Sequence, residues 1–357
     1  MTNYTRLELP RDLVEKIETA KLPDQLGFGV VKTPVMAIAK FQNGSWGQPV
    51  LRPWEPIEMD PSAKALHYGQ AIFEGMKAYR VTSGEVVLFR PVENHKRFNR
   101  SAERMAMPSI SEEIFMSCVD SVVAHQTRLI PNKPGESLYL RPFMIASGQG
   151  IGLAPSTEYL FMVIASPSGA YFGADNVSVL IERHDCRAAP GGTGAAKAAG
   201  NYGASIKSAI KAKKLGYHQT LWLDAAHHQN IEELSGMNIF AVIDGELFTP
   251  QLTDTILAGI TRDSLIALAE NMGLKVHQKT LKIDELISNI KGGQCSELFA
   301  CGTAAVITPI AELGEEDGTK YKLEHSYGPV SRRLRERLTG IQEAGEDAPD
   351  GWIYKVV

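Results

Sequence analysis

The chain has 357 residues, 44% of them hydrophobic and 22% charged, which are the proportions of a globular protein and exclude a long disordered or fibrous chain. Formal net charge is −4 with a pI near 6.2 and no run of five like charges, which argues against a general binder of nucleic acid or of anionic membranes. The longest apolar stretch, Tyr159 to Ala165, is far short of the roughly 20 residues a membrane helix needs.

The first segment, MTNYTRLELPRDLVEKIE, carries acids and no apolar core, so no cleaved export signal is expected there. Asn43-Gly44, Ser83-Gly84 and later Asp244-Gly245 separate β-rich runs, and an X-Gly pair of this kind predicts a tight antiparallel turn. Helical patterns alternate with these turns, predicting helices over Glu93–Met105, Ser111–Arg128, Tyr202–Leu215, Thr261–Met272 and Val330–Gln342. The first of these places Arg97, Arg100 and Arg104 on one stripe and Phe98, Ala102 and Met105 on another. In the third, Ile206, Ala209, Ile210 and Ala212 are expected to face inward and Lys207, Lys211 and Lys214 outward.

The small-residue segment Ser166–Ala170 follows an apolar strand and suits a connection between domains. The expected organisation is α+β or mixed α/β, with a smaller N-terminal α/β domain over 1–165, a connection over 166–176 and a larger C-terminal domain over 177–357. Four cysteines (Cys118, Cys186, Cys295, Cys301) stand at unrelated spacings, which suits a reducing, cytoplasmic setting and gives no zinc pattern. The adjacent His227 and His228 lie in a polar loop with no companion ligands, so no metal site is expected.

The segment with the most chemistry is Ala188-Ala-Pro-Gly-Gly-Thr-Gly-Ala-Ala-Lys197. A P-loop needs Gly before its Lys and Ser or Thr after it, but Ala196 and Ala198 occupy those places. A dinucleotide fingerprint fails as well, because Lys197 stands where the third glycine belongs. What remains is a lysine flanked by small residues, with room for a planar ligand and surroundings that would depress its amine pKa, as an imine-forming lysine requires. An exposed lysine on a flexible loop fits this segment equally well.

GGTGAAKAAGNYGAS, LWLDAA, EELSGMNIF, ILAGITRDSL and FACGTAAVITP occur in the order seen in branched-chain amino-acid aminotransferases. LHYGQAIFEGMKAYR, LFRPVENHKRFNRSAERM and LYLRPF resemble the same family, so the likeness runs from about Phe28 to Thr308. The resemblance implies a fold-type IV enzyme with pyridoxal 5′-phosphate (PLP) at the interface of its two domains, the larger one a pseudo-barrel. Lys197 then resembles the lysine that holds PLP through an imine and shuttles the proton. Glu233 resembles the carboxylate facing the pyridine nitrogen, with Glu232 as its competitor in register. Tyr202 resembles the phenol beside the PLP oxygen, and Arg97 the phosphate clamp. Thr261 and Thr303, with the backbone N–H groups of Ile260 and Thr261, resemble the rest of a phosphate cup.

For substrate the resemblance implies an apolar wall of Phe28, Phe73, Tyr139, Tyr171 and Tyr202 with Ala304 at its floor, and Arg141 receiving the glutamate side chain. Backbone N–H groups of Thr303 and Ala304 would hold the α-carboxylate. Tyr68, Ile151 and Leu153 would reach in from the second subunit of a homodimer. Leucine, isoleucine and valine, with glutamate and 2-oxo acids, are the implied substrates. Two departures stand out: Ala305 and Thr308 occupy the places of a redox Cys-x-x-Cys found in some animal members, and Gly236 stands where some relatives have Thr. A D-amino-acid aminotransferase, an aminodeoxychorismate lyase and a non-catalytic PLP-binding protein are the alternatives.

Overall fold

The computed structural model describes residues 4–169, 177–324 and 327–356. The chain forms two compact units: 1–171 with 196–199 and 340–357, and 172–195 with 200–339.

In the first unit the chain runs through α1 (Arg11–Thr19), β1 (Val35–Gln42), β2 (Ser45–Trp46), β3 (Val50–Pro53), α2 (Lys64–Tyr68), β4 (Ala71–Phe73), β5 (Met76–Arg80), β6 (Val86–Phe89), α3 (Pro91–Arg104), α4 (Glu112–Ala124), β7 (Ser137–Ala146) and β8 (Tyr159–Ser168). The strands lie in the order β6-β5-β7-β8-β1-β2, with β3 on β1 and β4 on β7, and every pairing is antiparallel. Asn43 and Gly44 make the β1–β2 turn at φ 53° and 78°, the left-handed pair that a two-residue hairpin demands. Pro91 opens α3 at a position where a missing N–H costs nothing, and Ser111 caps α4 by accepting from Ile114 N at 3.2 Å. Phe98 of α3, Phe115 of α4 and Phe161 of β8 meet with ring centroids 5.5 Å apart at the centre of this core.

The second unit contains β9 (Val177–Glu182), α5 (Ala199–Lys214), β10 (Gln219–Leu223), β11 (Ile231–Leu234), β12 (Asn238–Ile243), β13 (Glu246–Thr249), α6 (Ile260–Asn271), β14 (Val276–Gln278), α7 (Ile283–Lys291), β15 (Cys295–Gly302), β16 (Val306–Gly314), β17 (Lys320–Lys322) and α8 (Pro329–Thr339). Its sheet is mixed, in the order β11-β10-β9-β16-β15-β12-β13-β14 with β17 on β16. The parallel pair β9–β10 is joined through α5, since parallel neighbours need a long crossover. Asp244-Gly245 turns β12 into β13 at φ 50° and 78°. A buried carboxylate on β15, Glu297, accepts the N–H groups of Val330 and Ser331 at 2.8 Å each and so caps α8. An antiparallel sheet with helices in one unit and a mixed sheet in the other agree with the expected α+β class.

Three expectations change. Ala212 faces inward as expected, but Ile206, Ala209 and Ile210 do not: the two isoleucines are 57% and 64% exposed, because α5 buries Asn201 and Ser208 beside Ala212. Strand β8 runs through Ser168, so the start of the expected connection is sheet, while residues 170–176 lie outside the described ones. The C-terminus, assigned by sequence to the second domain, ends in β18 (Ile353–Val356), which pairs with β6 in the first unit. There Trp352 meets Phe89 edge-on at 5.5 Å, and the Tyr354 hydroxyl donates to Asp120 at 3.0 Å. Closing an open sheet edge is the work of this tail.

Candidate active site

Lys197 ends the glycine-rich loop, and its backbone is docked within the first unit. Its N–H donates to Ser101 Oγ at 2.9 Å, its carbonyl accepts from Phe73 N at 3.1 Å, and the next residue, Ala198, bridges to Ile72. The side chain is half-buried, with Nζ 4.9 Å from the centre of the Phe73 ring. A lysine pinned in this way is no longer one on a flexible loop. Its surroundings are more polar than the small loop residues suggest, because the buried Glu74 carboxylate attracts it.

Arg97, 4% exposed, is separated from its stripe: Arg100 and Arg104 face solvent, whereas Arg97 turns inward and is gripped by Glu74. Nε donates to Glu74 Oε1 and Nη2 to Oε2, both at 2.7 Å, and Asn94 Nδ2 donates to Oε2 at 2.7 Å. Burial alone would push the Glu74 carboxyl up, but Arg97, together with Lys197 and Asn94, holds it below the usual carboxylate range.

Around these lie four of the residues expected to sort substrates. Phe28 meets Tyr139 edge-on at 4.8 Å, and the Arg141 guanidinium sits 4.6 Å from the Phe73 ring centre and 5.5 Å from that of Tyr139. Alternation along β7 puts Tyr139 and Arg141 on one face. Arg141 Nη2 donates to the Tyr139 hydroxyl at 3.2 Å, and its buried Nε has no hydrogen-bond partner among the described residues. A buried N–H of this kind is suited to an incoming anion. Tyr171 lies outside the described residues. Tyr68, Ile151 and Leu153 are not in this cluster: they stand exposed, Leu153 at 87%, with the Tyr68 hydroxyl donating to Ile151 O and Lys64 Nζ donating to Gly152 O at 2.5 Å.

In the second unit, successive residues of β11 send two acids to different partners. Glu233, 2% exposed, forms an ion pair with Arg187 Nε at 3.1 Å and accepts the Leu257 N–H at 2.9 Å. Glu232 accepts from Thr255 Oγ1 at 2.5 Å, while its Oε2 has no partner among the described residues. Burial pushes its carboxyl up, against the Thr255 hydroxyl and Arg187. A folded-state pKa above the unfolded one adds stability below the ordinary glutamate range, and that stability is lost as pH rises through the folded value. Glu232→Gln is therefore expected to raise stability near pH 7, with the gain shrinking in urea melts as pH falls into the ordinary glutamate range. A loss of stability at pH 7 would contradict this.

Helix α6 starts with Gly259 and no side-chain cap, leaving the N–H groups at Ile260 and Thr261 at the positive end of the helix dipole. A β-carbon at Gly259 would fall 2.0 Å from Asn238 Oδ1, so only glycine lets the chain approach there. Thr303 and Ala304 form the β15–β16 turn, which closes on Val306 at φ 58°. That conformation strains a β-branched residue by about 1–3 kcal/mol, a cost often met at ligand clamps. Tyr202 is half-buried on α5, beside Gly236. Gly236 has φ 81°, which suits glycine and disfavours the Thr of some relatives.

Sequence reading missed Glu74 and Arg187. Each lay inside a quoted or adjacent motif, yet the partner that gives it meaning is 23 residues away for Glu74 and 46 (233 − 187) for Arg187. Taken by itself, each unit holds groups that suit a part of PLP: the first an amine and a held guanidinium, the second a buried carboxylate, a phenol and an uncapped helix start. The buried cysteines are inert, with burial pushing the thiols of Cys295 and Cys301 up to about 12. Among the described residues no helix is long and apolar enough to cross a membrane.

The family described as Amino-transferase class IV matches residues 71–313. Branched-chain-amino-acid transaminase 1 of Bacillus subtilis is 42% identical over 338 residues, 94% of this chain and 95% of its own. The branched-chain amino acid aminotransferase of Escherichia coli has a similar structure, with a TM-score of 0.72 and 30% identity over 90% of this chain and 99% of its own. The branched-chain amino acid aminotransferase from Thermobaculum terrenum in PLP-form gives 0.69 and 26%, over 89% and 98%.

Proposed function

This chain belongs to the class IV aminotransferases and transaminates branched-chain amino acids, and we propose that it does so with PLP held on Lys197, passing the amino group of L-leucine, L-isoleucine or L-valine to 2-oxoglutarate. The observation that carries the reading is the docked, half-buried Lys197 at the end of a glycine-rich loop that meets neither nucleotide pattern.

When bound, PLP supplies an electron-accepting ring that stabilises charge developing at the substrate Cα. The residues divide the remaining work. Lys197 Nζ holds the cofactor and carries the proton to and from Cα, a general acid–base role worth about 10²–10⁴ in rate. Glu233 keeps the ring nitrogen charged, and its place between Arg187 and the Leu257 N–H supports that part. Tyr202 would meet the ring oxygen through its hydroxyl. By the family resemblance, Arg97, Thr303, Thr261 and the α6 N–H groups of Ile260 and Thr261 would hold the phosphate.

Substrates of two kinds enter one pocket. Phe28, Phe73 and Tyr139 would form an apolar wall, together with Tyr171 and Tyr202, while Ala304 lies beneath the side chain. Discrimination by single methylenes is worth about 1–3 kcal/mol, so all three branched substrates are accepted within modest ratios. Glutamate needs a cation, and the Arg141 Nε, which has no hydrogen-bond partner among the described residues, supports that residue in the role. The N–H groups of Thr303 and Ala304 would bind the α-carboxylate. Arg141→Ala is expected to cut kcat/KM for glutamate about 10²-fold or more, with under about tenfold loss for leucine. Equal losses for both would refute the shared pocket.

We also propose a cytoplasmic homodimer. The exposed apolar group of Tyr68, Ile151 and Leu153 supports contact with a second copy. Assaying L-leucine against D-alanine as amino donor tests the activity: turnover with leucine is expected, and a preference for D-alanine would favour the D-amino-acid alternative.

A further inference from the structure

We propose that Glu74 is a positioning residue: by gripping the Nε–Nη2 edge of Arg97 it aims the opposite edge of that guanidinium at a phosphate group, and so sets the preference of the protein for a phosphorylated cofactor. The inference rests on Arg97 being the phosphate clamp. A guanidinium is planar and carries its five N–H groups in a rigid fork, so fixing one edge fixes the direction of the others. Glu74 takes Nε and Nη2 in two parallel bonds of 2.7 Å, which turns the Nη1–Nη2 edge away from it.

The grip is itself braced. The Glu74 carboxylate also accepts from Asn94 Nδ2, one turn ahead of Arg97 on α3, and from its neighbour Gly75 N at 3.2 Å. The Glu74 backbone N–H is tied to Pro142 O at 2.7 Å. Neither partner is exposed by more than a few per cent. Burying two charges returns little stability compared with an apolar pair, so a buried, braced pair of this geometry is better explained by orientation than by adhesion. The segment carrying Lys197 docks on Phe73 at the end of β4, and Glu74 is the next residue, so one short segment places both the amine and the grip on Arg97.

The test compares pyridoxal 5′-phosphate with pyridoxal on the full-length chain stripped of cofactor. Both carry the same aldehyde and ring, so the ratio of their dissociation constants isolates the phosphate. Glu74→Gln keeps the shape of the side chain and removes its charge. It is expected to lower the preference for the phosphorylated form about ten- to thirtyfold. Adding Glu74→Gln to Arg97→Gln should lower it by no more than about a further twofold, since both changes break one device. If Glu74→Gln does not fold, Glu74→Asp keeps the charge, withdraws the carboxylate and should lower the preference at least about threefold. A ratio within about twofold of wild type in the folded variant, whatever its melting temperature, overturns the proposal and leaves Glu74 structural. A wild-type chain that shows no preference for the phosphorylated form overturns the cofactor reading itself, and this inference with it.

Discussion

Lys197→Ala is expected to fold normally and to lose transamination of L-leucine with 2-oxoglutarate by about 10⁴-fold or more, while binding PLP only loosely. The fold should survive because the segment is docked by its backbone: Ser101 Oγ accepts the Lys197 N–H, and Phe73 N donates to its carbonyl. An alanine keeps both bonds. The chemistry should not survive, because the side chain is asked both to hold the cofactor and to move the proton, and losing a proton carrier alone costs about 10²–10⁴. Steady-state turnover beside a thermal melt separates the two effects. Undiminished turnover would overturn the assignment of Lys197.

The second large effect is one of stability. Arg187 and Glu233 are 6% and 2% exposed, and Arg187 also donates through Nη2 to the carbonyls of Gly194 and Thr255. Arg187→Met removes the cation and leaves the carboxylate buried without it, together with two carbonyls. The expected cost is about 3–5 kcal/mol in urea unfolding. Glu233→Gln introduced beside it should return about 1–3 kcal/mol, because the stranded charge is then gone. Unchanged urea midpoints for Arg187→Met would show that the ion pair does not hold this part of the second unit.

What could be read in the chain and what could not divide along sequence distance. Asn43-Gly44 and Asp244-Gly245 turn where expected because positive φ is a property of the residues themselves. Helices α3, α4 and α6 begin and end within a few residues of the expected bounds, since caps and glycine stops are local signals. Of the residues expected inward on α5 only Ala212 is buried, because the other buried side chains, Asn201 and Ser208, are polar and hydrophobicity could not point to them. The C-terminal strand carries no sign that it will pair with β6, which is more than 250 residues away in the chain. Lys197, Arg97 and Glu233 could be named as candidates through the order of their motifs. Glu74 and Arg187 were not, because an ion pair between distant residues has no period and no spacing to betray it.

The account stands on the amine of residue 197. Purified protein treated with borohydride and then digested should yield one peptide, spanning Lys197, that carries a reduced pyridoxyl phosphate on that side chain. Modification of another lysine, or of none, would contradict it.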